Sequence, residues 1–218
     1  MNILFYCPSK FNLKSKNSNS LGGIETLNLE LSNILSLNKY KIYLSTICKK
    51  VFKKKNLINL PISTIKKKNS KYDFDYIISS NDPSIFNYYK NSKNILWMHN
   101  TLAIEKAIRK KKIIPILTNK INAVFVSEYL KKETSKLFNF KSRTVIPNFL
   151  SEEFDKIKFN YHRKPNVIWS VSRNRGLDKF VNIWINDISK KYSKANLHIF
   201  GIEKYKHKDK LKKYNIFF

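Results

Sequence analysis

Glycine, cysteine and acidic side chains are the scarce residues of this 218-residue chain, which holds four Gly, two Cys and fifteen Asp plus Glu. The cysteines, Cys7 and Cys48, are too few for a disulfide framework and sit in strand-like apolar runs, so a reducing cytoplasm is the expected compartment. No run approaches the roughly 18 uninterrupted apolar residues of a membrane helix. Asn2 to Cys7, closed by Pro8, is too short for a signal-peptide core and reads as a first strand. No Cys/His cluster has zinc spacing, and no metal site is expected. Disorder and fibrous repeats are excluded by 42% apolar and 14% aromatic residues.

Arginine is scarcer than the charge suggests. Basic residues outnumber acidic ones 43 to 15, a formal +28, yet only five are Arg and 38 are Lys. Phosphate forks and base readers favour Arg, whereas Lys beside 26 Asn and 27 Ile has the composition of an AT-rich coding sequence. Residues 1–148 carry 27 basic and 8 acidic side chains, a net +19, which suits plain solvation and an anionic lipid surface alike. Helix-turn-helix and aromatic RNA-binding signatures are missing, so nucleic acid is not an expected partner.

What is present is alternation of short apolar runs with amphipathic stretches, the pattern of parallel strands joined by helices. Strands are expected at 2–7, 41–47, 76–79, 94–99, 123–127 and 144–146, and helices at 25–36, 84–89, 102–112 and 128–138. In the first helix Leu27, Leu31, Ile34 and Leu35 make one apolar face. The alternation lapses in a charged stretch at 151–165, read as a linker between a domain at 1–150 and a second at 166–218. The second reads as strand 166–172, helix 176–191, strand 197–200, helix 204–213 and a strand-like close at 215–218. So short a second unit suggests a truncated gene or fragment. The fold class is α/β, two Rossmann-like parallel-sheet domains with the second incomplete.

The four glycines, Gly22, Gly23, Gly176 and Gly201, all follow predicted strands or open helices. Gly22-Gly23-Ile24-Glu25 fits two readings, an anion site made by free helix-start amides and an ordinary helix start after a long loop. Arg173 and Arg175, two of the five arginines, stand on a strand-to-helix turn, where a diphosphate could be gripped, or where two charges are simply solvated. His99 ends the fourth expected strand and fits a substrate hydrogen bond, a proton transfer or a backbone contact. Asp73-Phe74-Asp75 imitates a metal-binding pair but precedes its strand, at the wrong edge of the sheet.

Taken in order, Gly22-Gly-Ile-Glu25, the His99 strand end, Val126-Ser127-Glu-Tyr-Leu, Val145-Ile-Pro-Asn148, Ser172-Arg-Asn-Arg-Gly-Leu-Asp178 and Leu197-His-Ile-Phe-Gly201 resemble the group-one, family-four glycosyltransferases of GT-B architecture. The resemblance spans essentially the whole chain, though only about the first three-fifths of a typical member. It implies two Rossmann-like domains facing across a cleft, a nucleotide sugar as donor, a glycan or lipid-linked acceptor, retention of anomeric configuration and no cofactor or metal. By position it implies that Gly22 and Gly23 approach the donor diphosphate, that Arg173 and Arg175 neutralise it, and that His99 lines the reacting sugar. Ser127, Asn148, Ser172 and Gly201 would line the same cleft. It also implies work in the cytoplasm or at the inner face of the membrane.

The sequence departs from the family at two places. Ser172 replaces a glycine and a single Asn separates Arg173 from Arg175, and the paired glutamates that hold nucleotide ribose and sugar would lie beyond Phe218. Weak or absent turnover is the expectation. The lysine runs at 49–50, 53–55, 66–68, 109–112 and 204–213 keep open a different class, a basic non-enzymatic protein that binds nucleic acid or an anionic membrane surface.

Overall fold

The computed structural model describes residues 1–14, 21–67, 70–150, 165–170, 173–202, 205 and 208–218. The chain divides into two units, Met1–Asp155 and Lys156–Phe218.

The first unit is built on an eight-stranded sheet. Its strands are β1 (Asn2–Tyr6), β2 (Lys41–Thr46), β3 (Phe52–Lys54), β4 (Leu57–Pro61), β5 (Tyr76–Ser80), β6 (Lys93–Met98), β7 (Ile121–Phe125) and β8 (Ser142–Val145), in the order β3-β4-β2-β1-β5-β6-β7-β8. All pairings are parallel except β3 with β4. The central strands are near-continuous apolar runs because both faces are covered. On one face α1 (Gly23–Leu37) lays Leu29 over Ile3, Phe5, Ile42 and Leu44. On the other, Ile65 of the short helix α2 (Ile62–Ile65) joins Ile85, Phe86, Leu102, Ala107, Ile116 and Phe138 in covering Leu4, Tyr6, Ile77 and Leu96.

The chain after β1 turns to β2 on one side, whereas β5 returns on the other side of β1. Loops leaving β1 and β5 therefore diverge, and the crevice between them at the carboxyl edge is the usual ligand position of an open α/β sheet.

Several expectations need correction. Asn28, Leu29 and Ser32 form the buried line of α1, with Ile34 exposed and Leu27 only half-buried. Asn28 tolerates burial because its amide donates to Ile24 O and to Ser80 Oγ, both at 2.8 Å. The hairpin β3–β4 was not expected. Its outer strand, Phe52–Lys54, reads as a charge run because exposed lysines guard an edge strand against further pairing. The expected helix at 102–112 is two, α3 (Ile104–Arg109) and α4 (Ile113–Thr118), broken where Lys111 takes φ +54°. The helix expected at 128–138 is α5 (Glu128–Glu133), closed at Thr134. Residues 84–89 form a 3₁₀ helix, Pro83–Tyr88. Cys7 and Cys48 follow their strands rather than lying in them.

The second unit holds a parallel three-stranded sheet, β11-β10-β9, from β9 (Asn166–Trp169), β10 (Asn196–Ile199) and β11 (Ile216–Phe217). The expected helix at 176–191 begins at Leu177 and passes through a π turn at Trp184–Ile188. Trp184 is buried there and donates from Nε1 to Tyr214 O at 2.8 Å. Lys208–Leu211 is the regular part of the helix expected at 204–213. The linker expected at 151–165 lies, but for Pro165, outside the described residues.

Leu44, on a central strand and fully buried, carries a simple expectation. Leu44→Ala should cost about 2–5 kcal/mol, read as a fall in denaturation midpoint at unchanged slope; a change within 0.5 kcal/mol would contradict this core.

Candidate functional site

At the carboxyl edge of the first sheet, Cys7 follows the end of β1 at Tyr6, Asn81 follows the end of β5 at Ser80, and His99 follows the end of β6 at Met98. The Gly-Gly pair lies at this edge too. Gly22 is the N-cap of α1, with φ −70° and ψ 162°, and no side chain caps the helix. Neither glycine needs positive φ. Their value is space, and it differs between the two. A Cβ on Gly23 would meet nothing within 4 Å, whereas one on Gly22 would run into the Glu25 carboxylate. Glu25 thus folds back across the helix start, where the macrodipole favours a negative charge.

That carboxylate reaches two further groups. His99 is held by its backbone, the N–H donating to Asn81 Oδ1 at 2.8 Å, and its ring lies against Trp97 with centroids 4.6 Å apart. Nε2 is buried without a hydrogen-bond partner. Burial lowers the imidazole pKa to about 4, and the nearby Glu25 charge opposes that shift. Burial, assisted by Glu25, pushes the Cys7 thiol up to about 12, so it is an inert thiol at neutral pH.

On the other side of the crevice Asn81 sits at φ +59°, a left-handed geometry that Asn tolerates. This turn lets its side chain hold His99 while its carbonyl accepts from Lys112 Nζ. Asp82 caps the following 3₁₀ helix by accepting from Ser84 N and also accepts from Tyr6 OH at 3.4 Å.

Ser127 and Asn148 follow β7 and β8 at the same edge. Ser127 is already employed as the N-cap of α5, its Oγ accepting from Leu130 N at 3.2 Å. Asn148 is exposed. An open groove of about 640 Å³ lies beyond the ends of β1 and β2, between Phe11, Cys48, Lys49 and Phe52. The Asp73/Asp75 pair stands at the opposite edge, where Asp75 Oδ2 accepts from Asn2 N at 2.7 Å. Among the described residues no group of three metal-ligating side chains occurs.

In the second unit Arg173 and Arg175 form a 3₁₀ turn after β9, leading through Gly176 at φ +98° into the helix Leu177–Ile183. Arg175 is exposed. Gly201, after β10, takes φ +75°. Ser172 lies outside the described residues. The predicted residues thus fall into two sets, each at the carboxyl edge of its own sheet.

Sucrose-phosphate synthase from Thermosynechococcus elongatus superposes on this chain with a TM-score of 0.59, over 98% of this chain and 68% of that one. The fold is GT-B-like. At 13% identity the likeness is one of fold. No family model and no curated protein matches the chain. Among the described residues no helix is long and apolar enough to cross a membrane.

Glu25, Asn81 and Lys112 are the site groups that sequence reasoning did not single out. Glu25 alone had a signal, three residues after the cap, where an acid can reach back to the helix start. The His99–Glu25 coupling gives a test with a definite sign. The unfolded imidazole titrates near 6.5 and the folded one near 4, so the unfolded state binds more protons between these values. Stability should fall as pH drops from 6.5 toward 4. Glu25→Gln removes the charge that favours imidazolium, so the His99 resonance in an NMR titration should move to still lower pKa; a rise would contradict the coupling.

Proposed function

We propose that the chain is a retaining glycosyltransferase of the family-four kind, taking a sugar from a nucleoside-diphosphate donor to a glycan or lipid-linked acceptor without metal or cofactor. The observation that carries this reading is the placement of two arginines at the first strand-to-helix turn of the second sheet, in a fold shared with a glycosyl-transferring synthase. Of the other arginines, Arg109 and Arg143 belong to the first unit.

The chemistry asks for such groups. An acceptor hydroxyl attacks the anomeric carbon, the bond from that carbon to the diphosphate oxygen breaks, and its electron pair leaves with the nucleoside diphosphate. Charge grows on that oxygen as the sugar passes through an oxocarbenium-like state, so fixed cations lower the barrier. Arg173 and Arg175 take that role, and the hydroxyl proton passes to the departing phosphate oxygen.

His99, neutral at pH 7, is too weak a base for efficient proton abstraction. Its buried, unpartnered Nε2 would serve instead as a hydrogen-bond partner for a sugar hydroxyl once the side chains that cover it move aside. Gly23 leaves room for a close approach to the helix start, but Glu25 already stands before those amides. A diphosphate contact there requires the carboxylate to swing aside.

The test is thermal stabilisation by a panel of nucleoside diphosphates. Wild type should gain stability saturably, and the Arg173→Ala/Arg175→Ala double variant should lose the response. Gly23→Ala should keep or raise intrinsic stability, by about 0.5–1 kcal/mol, while weakening the nucleotide response. An unchanged response in the double arginine variant would overturn the reading. A response confined to oligonucleotide or anionic vesicles, steep in salt, would favour the basic binding protein.

A further inference from the structure

The basic run Arg109 to Lys112 is not absorbed by the donor chemistry. Its lysines do not all face solvent. A pocket of about 70 Å³ opens beside the crevice, its floor made by Met98 and Leu102 and its wall by Asn81, Asn100, Thr101, Lys106, Lys110 and Lys112. All of them belong to the first unit; Met98 is the last residue of β6, and the others follow β5 or β6.

Three lysines thus line one small space, close enough for the charges of Lys110 and Lys106 to act on Lys112. Two are fixed from behind: Lys106 Nζ donates to Thr101 O at 2.8 Å, and Lys112 Nζ donates to Asn81 O. Each of those bonds uses one of the three donors an ammonium carries. Among the described residues the carboxylate that acts on Lys112 is Asp82, which also serves Ser84 N and Tyr6 OH. Burial lowers the Lys112 pKa, and the like charges of Lys110 and Lys106 lower it further. Gathering lysines this way costs stability, and a dianion placed among them would offset the cost.

Size selects the class of anion. Nucleotide-sized ligands need about 300 Å³ or more, so only a compact headgroup enters. Compact ammonium charges, rather than flat guanidinium forks, suit a tetrahedral oxyanion held as a point charge. We infer that this pocket binds a phosphate monoester group, the handle of a small phosphorylated acceptor on the first unit. The acceptor role rests on the glycosyltransferase reading; phosphate binding itself does not.

The experiment is calorimetric titration of the full chain with inorganic phosphate and with glycerol 3-phosphate, at ionic strength held constant with chloride. Both should bind saturably. Lys106→Gln/Lys110→Gln should weaken both at least tenfold, because two of the three lysines of the set are lost, and should leave the nucleoside diphosphate response in place. Arg109→Gln/Lys111→Gln, adjacent in sequence but outside the pocket, should change neither. Equal affinity in the pocket variant, an equal loss in the outside variant, or no saturable phosphate binding by wild type would overturn the inference. So would binding to vesicles of phosphatidic acid in phosphatidylcholine without binding of the soluble ester. Loss of the nucleotide response alone would count against the donor chemistry and leave this pocket standing.

Discussion

Parallel pairing on both flanks of β1 is the constraint from which the first unit's chemistry follows. Because β2 and β5 both run with β1, each needs a crossover, and right-handed crossovers to opposite sides must cover opposite faces of the sheet. The loops that leave β1 and β5 are pulled apart, and a crevice opens where they separate. Into it come the start of α1 from one face and the Asn81–Asp82 turn from the other. Asn28 and Ser80, buried and hydrogen-bonded to each other, tie α1 to the end of β5 and fix the distance across the opening.

The two sides of that crevice have opposite electrostatics. Toward α1 stand a carboxylate and a neutral imidazole, with a buried thiol beneath. Toward α3 stand lysines, one of them half-buried on a main-chain carbonyl. Asn81 bridges them, its side chain supporting His99 and its carbonyl supporting Lys112. A single left-handed residue therefore holds both His99 and the Lys112 ammonium at the crevice.

Much of the architecture was legible from periodicity. Strands such as Ile3 to Tyr6 and Leu96 to Met98 are buried on both sides, and their apolar runs announce it. The β3 edge was not legible, since Phe52-Lys-Lys has the composition of a solvated loop and becomes a strand only by pairing with Leu57–Pro61. The face of α1 was legible in part: Leu31 and Leu35 pack against the sheet, but its fully buried positions include Asn28 and Ser32, small or hydrogen-bonded side chains that no apolar count selects. At the site, Gly22, Gly23 and His99 announced themselves by rarity and by position at strand ends. Lys106, Lys110 and Lys112 did not, because among 38 lysines nothing in sequence separates three that converge from those that are dispersed. Lys112 joins Lys106 and Lys110 only because the helix is interrupted at Lys111, a tertiary event.

The central claim is that ligand chemistry belongs to the carboxyl edge of the sheets. Hydrogen–deuterium exchange with mass spectrometry, run with a nucleoside diphosphate and with glycerol 3-phosphate, tests it most directly. Protection is predicted in peptides covering 22–29, 80–83 and 98–112 of the first unit and 173–178 of the second. Protection centred on the amino edge, at 73–76 and 92–94, or none with either ligand at saturating concentration, would contradict it.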